Sequence, residues 1–279
     1  AIETGLRIYL LSPVISYKLF ESLSLSAGFQ YGLAEVTITR KSPISSLFAP
    51  DAFVELEGND NASFGFNAGL MFKPVSFFTF GASYMSEMKY EFEGTATTTA
   101  PSLFASQLPS GNITAELTTP QNLAVGIAVD VTSKIKLSTE FQFVGWSSYD
   151  TLAVDFENVA FTDIASPRLY KDSYILRFGT AYKFNDQVTF MGGVYFDKMP
   201  VDPENLNPSL ADSDRLGFSF GIDAQLFEKL NIVGSYLFIR AKELTVDNST
   251  QVYTPGGSKF NGTYNSIANI FSLSFIYSL

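Results

Sequence analysis

Residues 269–279, N-I-F-S-L-S-F-I-Y-S-L, decide how this chain is read. Phe271, Leu273, Phe275, Tyr277 and Leu279 share one parity; Ser272, Ser274 and Ser278 share the other, with Ile276 as the exception. Side chains alternate faces along a strand, so the segment is apolar on one side and small and polar on the other. An apolar strand with an open edge invites aggregation in water. A transmembrane barrel needs such a strand, with apolar side chains toward lipid and polar ones toward the lumen. The competing reading of this segment by itself is a strand of a soluble sandwich.

The composition of the 279 residues agrees with the barrel. Aromatic residues make up 15% and charged residues only 16%, against roughly 25% charged in a soluble domain. No run of about 18 apolar residues exists, which excludes a helical span. Period-two alternation explains how so much apolar surface occurs without one apolar block. The chain has no cysteine and no histidine. Disulfides, thiolate sites, the usual zinc ligand and a Ser-His-Asp hydrolase are therefore excluded within it. No cofactor and no metal are expected, and no catalytic residue. A net charge of −10 argues against nucleic acid as a partner. No signal peptide is recognisable.

From the start of the chain, long alternating segments are joined in turn by tight polar turns and longer loops. Strands are expected over 3–19, with a bend at Pro13, and over 23–40. Further strands follow over 64–73, 78–98, 113–132, 135–156, 172–184, 188–201, 215–227, 230–246 and the final segment. Longer loops are expected at 41–61, 99–111, 157–170, 202–211 and before the last strand. The pattern predicts an all-β fold: a single domain over 1–279, a transmembrane antiparallel up-and-down β-barrel with about eleven strands. In bacterial outer-membrane barrels the short turns face the periplasm and the long loops face outside. Glu87, Lys89, Glu91, Lys136, Glu140, Arg177, Lys183, Arg215 and Asp223 have lumen parity. Charges held there must pair or be wetted.

Several stretches resemble one family. They are F-G-F-N-A-G-L at 64–70, Y-M-S-E-M-K-Y-E-F-E-G at 84–94, L-T-T-P at 117–120, and G-W-S at 145–147 with the only tryptophan. The most specific is the pair of hairpins over 172–227, with Phe196-Asp197, Pro200-Val201, Pro208 and D-S-D-R at 212–215. In this order and spacing the chain resembles the FadL/TodX-type outer-membrane transporters of long-chain fatty acids and hydrocarbons. The resemblance implies a barrel of fourteen strands, a lumen plugged by an N-terminal hatch, and a kinked third strand that opens the wall sideways. It begins at the family's fourth strand. The chain is therefore expected to be the larger part of a longer barrel, or a shortened homologue that closes differently. The resemblance also implies a monomer in the outer membrane of a Gram-negative bacterium, among lipid and lipopolysaccharide.

By the same resemblance, hydrophobic ligand lands in an outer groove, moves to a lumenal pocket and leaves sideways into the membrane. The loop at 41–61, with Ile44, Leu47, Phe48 and Phe53, matches the first groove loop. The loop at 99–111, with Leu103, Phe104 and Leu108, matches the second. Apolar side chains in loops that face water mark a docking surface, or else a self-packed cap over the barrel mouth. Arg40 has lumen parity and matches a basic position that can meet a fatty-acid carboxylate through a charge-assisted contact; the plainer role is an ion pair with a loop acid. Arg168 and Lys171 lie near a second basic position. The function implied is passive uptake of long-chain fatty acids or other hydrophobic small molecules. The alternative is a general porin for polar solutes.

Overall fold

Alternating residues pair into ladders because a strand in a membrane has no water for its backbone groups. In the computed structural model, which describes residues 3–42, 51–102, 108–158, 161–207, 211–251 and 259–277, most of the described residues lie in strands. The first strands are β1 (Glu3–Leu11), β2 (Val14–Phe20), β3 (Leu23–Ser42), β4 (Ala52–Val75), β5 (Phe78–Met85) and β6 (Met88–Thr99). There follow β7 (Gly111–Thr119), β8 (Asn122–Asp130), β9 (Ile135–Val144), β10 (Thr151–Phe156), β11 (Ile164–Pro167) and β12 (Ser173–Lys183). The last are β13 (Val188–Asp197), β14 (Arg215–Phe227), β15 (Leu230–Ala241), β16 (Leu244–Val246), β17 (Gly262–Tyr264) and β18 (Ile267–Tyr277). All but β16 and β17, which pair with each other, belong to one 16-stranded sheet.

Five successive pairs in that sheet are collinear. β1 and β2 both pair β3, and β5 and β6 both pair β4. β7–β8, β9–β10 and β11–β12 likewise continue one another along shared neighbours. The sixteen strands thus make eleven staves among the described residues, each antiparallel to the next. β18 lies along β15 with Phe271 opposite Tyr236 and Ser272 opposite Ser235.

Breaks in four neighbouring staves fall side by side: at Ser86-Glu87, at Pro120-Gln121, at 145–150 and at 168–172. Below this line the sheet follows the alternation of its last strand. Phe64, Phe66, Phe178, Phe218, Phe220 and Phe271 are exposed. The opposite face carries Gly65, Asn67, Gly69, Ser83, Gly126 and Ser138. Above the line the polarity inverts. Val54, Leu56, Ala96, Ile113, Val154 and Phe156 form one buried cluster. Ala34, Met88, Tyr90 and Phe92 form another. Lys89, Glu91, Glu93 and Glu116 stand on the outer face of these same strands, and Lys89 pairs with Glu91 and Glu116. Lipid requires apolar side chains outside, and water requires them inside.

The inversion corrects several expectations. Residues 52–61 are not loop: Phe53 to Asp60 extend β4 against β3, and Phe53 to Asn59 also pair β6. Phe53 therefore sits in a strand, opposite Lys41 and Thr99, on the outer face. Its neighbours Glu55 and Glu57 suggest a loop only if charge is taken to mean loop. Glu87, Lys89 and Glu91 do not face the lumen, because the break at Ser86-Glu87 flips the alternation; all three are exposed. The loop at 157–170 contains β11, β13 ends at Asp197, and β15 ends at Ala241. The pairing of lumen charges does hold for Arg177 with Glu140, Lys136 with Asp130 and Arg215 with Asp197.

Candidate functional site

The apolar interior above the breaks is not completely filled. A void of about 280 Å³ remains between Leu6 of β1, Val36 and Ile38 of β3, Leu56 of β4, Phe92 of β6 and Leu117 of β7. The register puts these side chains on one face: Leu6 lies opposite Val36, Ile38 opposite Leu56, and Leu117 opposite Tyr90. Trp146 and Tyr149 close one side. They are presented by a single turn of 3-10 helix, Trp146–Ser148, in which the Tyr149 N–H donates to the Trp146 carbonyl at 2.9 Å. The chain enters that turn at Gly145, where a Cβ would lie 2.7 Å from Gln121 Cγ; only glycine fits without displacing Gln121. The Ser147 N–H donates to Asp172 Oδ1 at 3.0 Å and holds the turn against the next stave. Tyr170 packs on both Trp146 (5.8 Å) and Tyr149 (5.1 Å, edge-on). Burial, helped by nearby Tyr149 and Asp212, raises the Tyr170 hydroxyl pKa above its ordinary value, so it remains a neutral aromatic wall.

A different cavity, of about 620 Å³, follows the inner wall below the breaks. Gly81, Ser83, Gly126, Ser138 and Gly179 line it, with the ion pair of Glu140 and Arg177. Arg177 Nη1 also donates to Gln142 Oε1 at 2.7 Å. The lower cavity suits water and the upper one suits hydrocarbon.

The residues singled out from sequence divide in this frame. Arg40 lies inward on β3 opposite Val54, one inward position beyond Ile38, which lines the apolar void; Arg40 itself does not line it. Its Nε is buried and finds no hydrogen-bond partner among the described residues. Arg168 stacks its guanidinium 5.9 Å from the Tyr149 ring centroid, and its Nε is in the same condition. Lys171 points elsewhere: it is exposed, pairs with Asp202 at 2.6 Å and lies in the outer loops. Leu108 is half-buried just before β7 and does not line the void. Ile44, Leu47, Phe48, Leu103 and Phe104 lie outside the described residues. The actual lining, from Leu6 to Leu117, is visible in sequence only as the second alternation, in which Val54 and Leu56 interleave with Glu55 and Glu57.

An all-antiparallel wall that is apolar outside at one level, with an apolar void just above it, defines a class of protein: an outer-membrane β-barrel with room for an apolar guest. The chain belongs to the outer membrane protein transport protein family (OMPP1/FadL/TodX), whose model matches residues 1–279. A long-chain fatty acid transport protein of Salmonella typhi is 25% identical over 232 residues, 74% of this chain and 53% of its own length. The chain thus spans about half of that relative. The crystal structure of a Pseudomonas aeruginosa FadL homologue superposes with a TM-score of 0.84 at 22% identity, covering 98% of this chain and 68% of that one. The Ralstonia pickettii toluene transporter TbuX superposes with a TM-score of 0.69 at 16% identity, covering 99% and 69%. The family comprises transport proteins of the Gram-negative outer membrane, not enzymes.

Proposed function

We propose that this chain forms the wall of a passive outer-membrane transporter for long-chain fatty acids or other hydrophobic small molecules. The observation that carries the reading is the apolar void of about 280 Å³ directly above a polar lumen. A ligand that enters it leaves water before it meets the membrane, which avoids the cost of holding its apolar surface in the aqueous lumen. Ile44, Leu47, Phe48, Leu103, Phe104 and Leu108 would supply the landing surface. Arg40, one inward position beyond Ile38, would meet a carboxylate, with Arg168 behind Tyr149 as a second cation. Lateral release into the bilayer rests on the family resemblance.

The test is equilibrium binding of oleate and of toluene to the full-length protein. Leu6→Trp, which fills the void, should weaken both. Arg40→Ala should weaken oleate by about ten-fold, the worth of a hydrogen bond to a charged group, and leave toluene unchanged. Unchanged oleate affinity would remove Arg40 from the site, and binding of neither compound would sink the proposal. The lumenal pair of Glu140 and Arg177 favours a second reading, a porin for polar solutes. A steady large conductance in planar bilayers would support that reading against the first.

A further inference from the structure

Among the described residues, three buried side-chain polar atoms have no hydrogen-bond partner: Arg40 Nε, Arg168 Nε and Gln30 Oε1. The two arginines are half-buried as residues, whereas Gln30 is 2% exposed. A buried amide oxygen without a donor carries a desolvation penalty that nothing offsets. Gln30 points inward from β3, opposite Gly65 of β4, at the level of the breaks.

The residues around it make the enclosure. Gly28 and Gly32 flank Gln30 on its own face, and Gly65 stands across the ladder, so three side chains are missing around one amide. Other side chains fill that space. A Cβ at Gly28 would lie 2.6 Å from Asn67 Oδ1, and one at Gly32 would lie 2.6 Å from the Tyr90 hydroxyl. A Cβ at Gly65 would lie 2.7 Å from Met88 Cγ and 2.9 Å from Ser86 Oγ. Asn67 therefore lies below the amide, Tyr90 and Met88 above it, and Ser86 beside it. Asn67 Nδ2 donates to Ser12 Oγ at 3.3 Å. Ser86 Oγ accepts the Phe66 N–H at 3.0 Å, in place of a ladder partner where the pairing of β4 with the next stave is interrupted. The hydroxyl of Tyr90, a residue only 1% exposed, donates to nothing better than Met88 Sδ at 3.8 Å, and a thioether is a weak acceptor. An acceptor without a donor and a donor without a good acceptor are thus buried in one niche. Tyr90 stacks on Phe92, with ring centroids 6.4 Å apart, and lies opposite Leu117; Phe92 and Leu117 both line the apolar void. The niche is the floor of that void.

We propose that Gln30 and Tyr90 form a subsite for the hydroxyl group of an otherwise apolar ligand held in the void: the ligand O–H donates to Gln30 Oε1, and its oxygen accepts from the Tyr90 O–H. The proposal rests on the transporter reading above and names a ligand class within it, uncharged alcohols. Residues two apart on a strand are separated by about 7 Å, a span that a glutamine side chain and one bridging oxygen cover between Gln30 and the Tyr90 hydroxyl over Gly32. A hydroxyl supplies a donor and an acceptor at once. A carboxylate only accepts, so it would leave Gln30 Oε1 unpaired and bring a charge into an apolar enclosure. A hydrocarbon makes neither bond. Met88, unbranched and pliable, can yield to admit the hydroxyl.

Three ligands of nearly one size separate these cases: toluene, benzyl alcohol and benzoate, each titrated onto the full-length protein. Gln30→Met keeps the length of the side chain and removes the amide, and Tyr90→Phe removes one oxygen. Each should weaken benzyl alcohol by about ten-fold, the worth of a hydrogen bond whose partner is left buried, and should leave toluene and benzoate unchanged. Unchanged affinity for benzyl alcohol in either variant would mean that the niche holds water only. An equal loss of toluene would mean that Gln30 and Tyr90 serve packing alone. Either result overturns the hydroxyl subsite and leaves the transporter reading intact. Failure of the unsubstituted protein to bind any of the three, or oleate, would overturn both. If Gln30→Met does not fold, Tyr90→Phe decides by the same comparison.

Discussion

Below the line of breaks the wall turns Phe64, Phe66 and Phe271 outward and glycine and serine inward. Above it the same strands turn Val54, Leu56, Tyr90 and Phe92 inward and Lys89, Glu91 and Glu93 outward. Backbone pairing continues through the junction between β3 and β4 but is interrupted between several of the following staves. The contrast shows that the ladder does not choose which face is apolar; the surrounding solvent does. The change is made by local devices: the bulge after Asp60 and the interruptions at Ser86-Glu87 and Pro120-Gln121. Each shifts a strand's side-chain alternation to the other face. An apolar void and interrupted ladders occur beside those devices because continuous packing and continuous pairing both stop there.

The largest effect that could break this comparison is a charge on the inner face. Val54, which is 0% exposed, should not tolerate aspartate. Val54→Asp should cost about 4 kcal/mol or more through an unpaired buried charge. Ser83→Asp, inward but below the breaks and exposed, should stay within about 0.5 kcal/mol. Urea titration of protein folded into lipid vesicles measures both, and equal costs would mean that the two interiors are alike. On the outer face the order reverses. Phe271→Arg should cost about 2–4 kcal/mol, depending on depth in the bilayer, whereas Glu93→Arg above the breaks should be nearly neutral in the same titration.

The smallest effect concerns the outer loops. Asp214 Oδ1 accepts from Lys198 Nζ at 2.9 Å and from the Met199 N–H at 3.1 Å. Burial works against the charge, but these donors, with Lys198 and Lys242 nearby, hold the Asp214 carboxyl below the ordinary carboxylate range. A depressed folded-state pKa stabilises the loop above the unfolded value, about 4. That contribution is lost as pH falls through the folded value. Protease cleavage between 198 and 214 should therefore stay constant from neutral pH down to mild acid and rise only in stronger acid. The half-exposed pair is worth no more than about 1 kcal/mol. A rise near neutrality would assign the loop's stability to another group.

Much of the lower wall is legible in the chain. Leu23 to Leu33 on β3 and Phe271 to Tyr277 on β18 alternate as a membrane strand must, and Arg177 finds Glu140 as lumen charges should. Residues 52–61 and 87–93 are harder to read, because Glu55, Glu57, Lys89 and Glu91 look like loop or lumen to anyone assuming lipid outside. Of the basic residues noted, Arg40 lies inward on β3 opposite Val54 and Arg168 lies over the Tyr149 ring, and neither lines the apolar void. Lys171 is held in the outer loops by its ion pair with Asp202.

Sequence alone determined the strand period, the all-β class and the exclusion of histidine- or thiol-based chemistry, since these depend only on residue type and parity. Tertiary structure decided where the alternation changes sense, which side chains enclose the void, and where side chains replace the ladder. Those depend on which residues of neighbouring staves lie at the same height. A one-residue bulge far along the chain can alter that height without marking the local pattern.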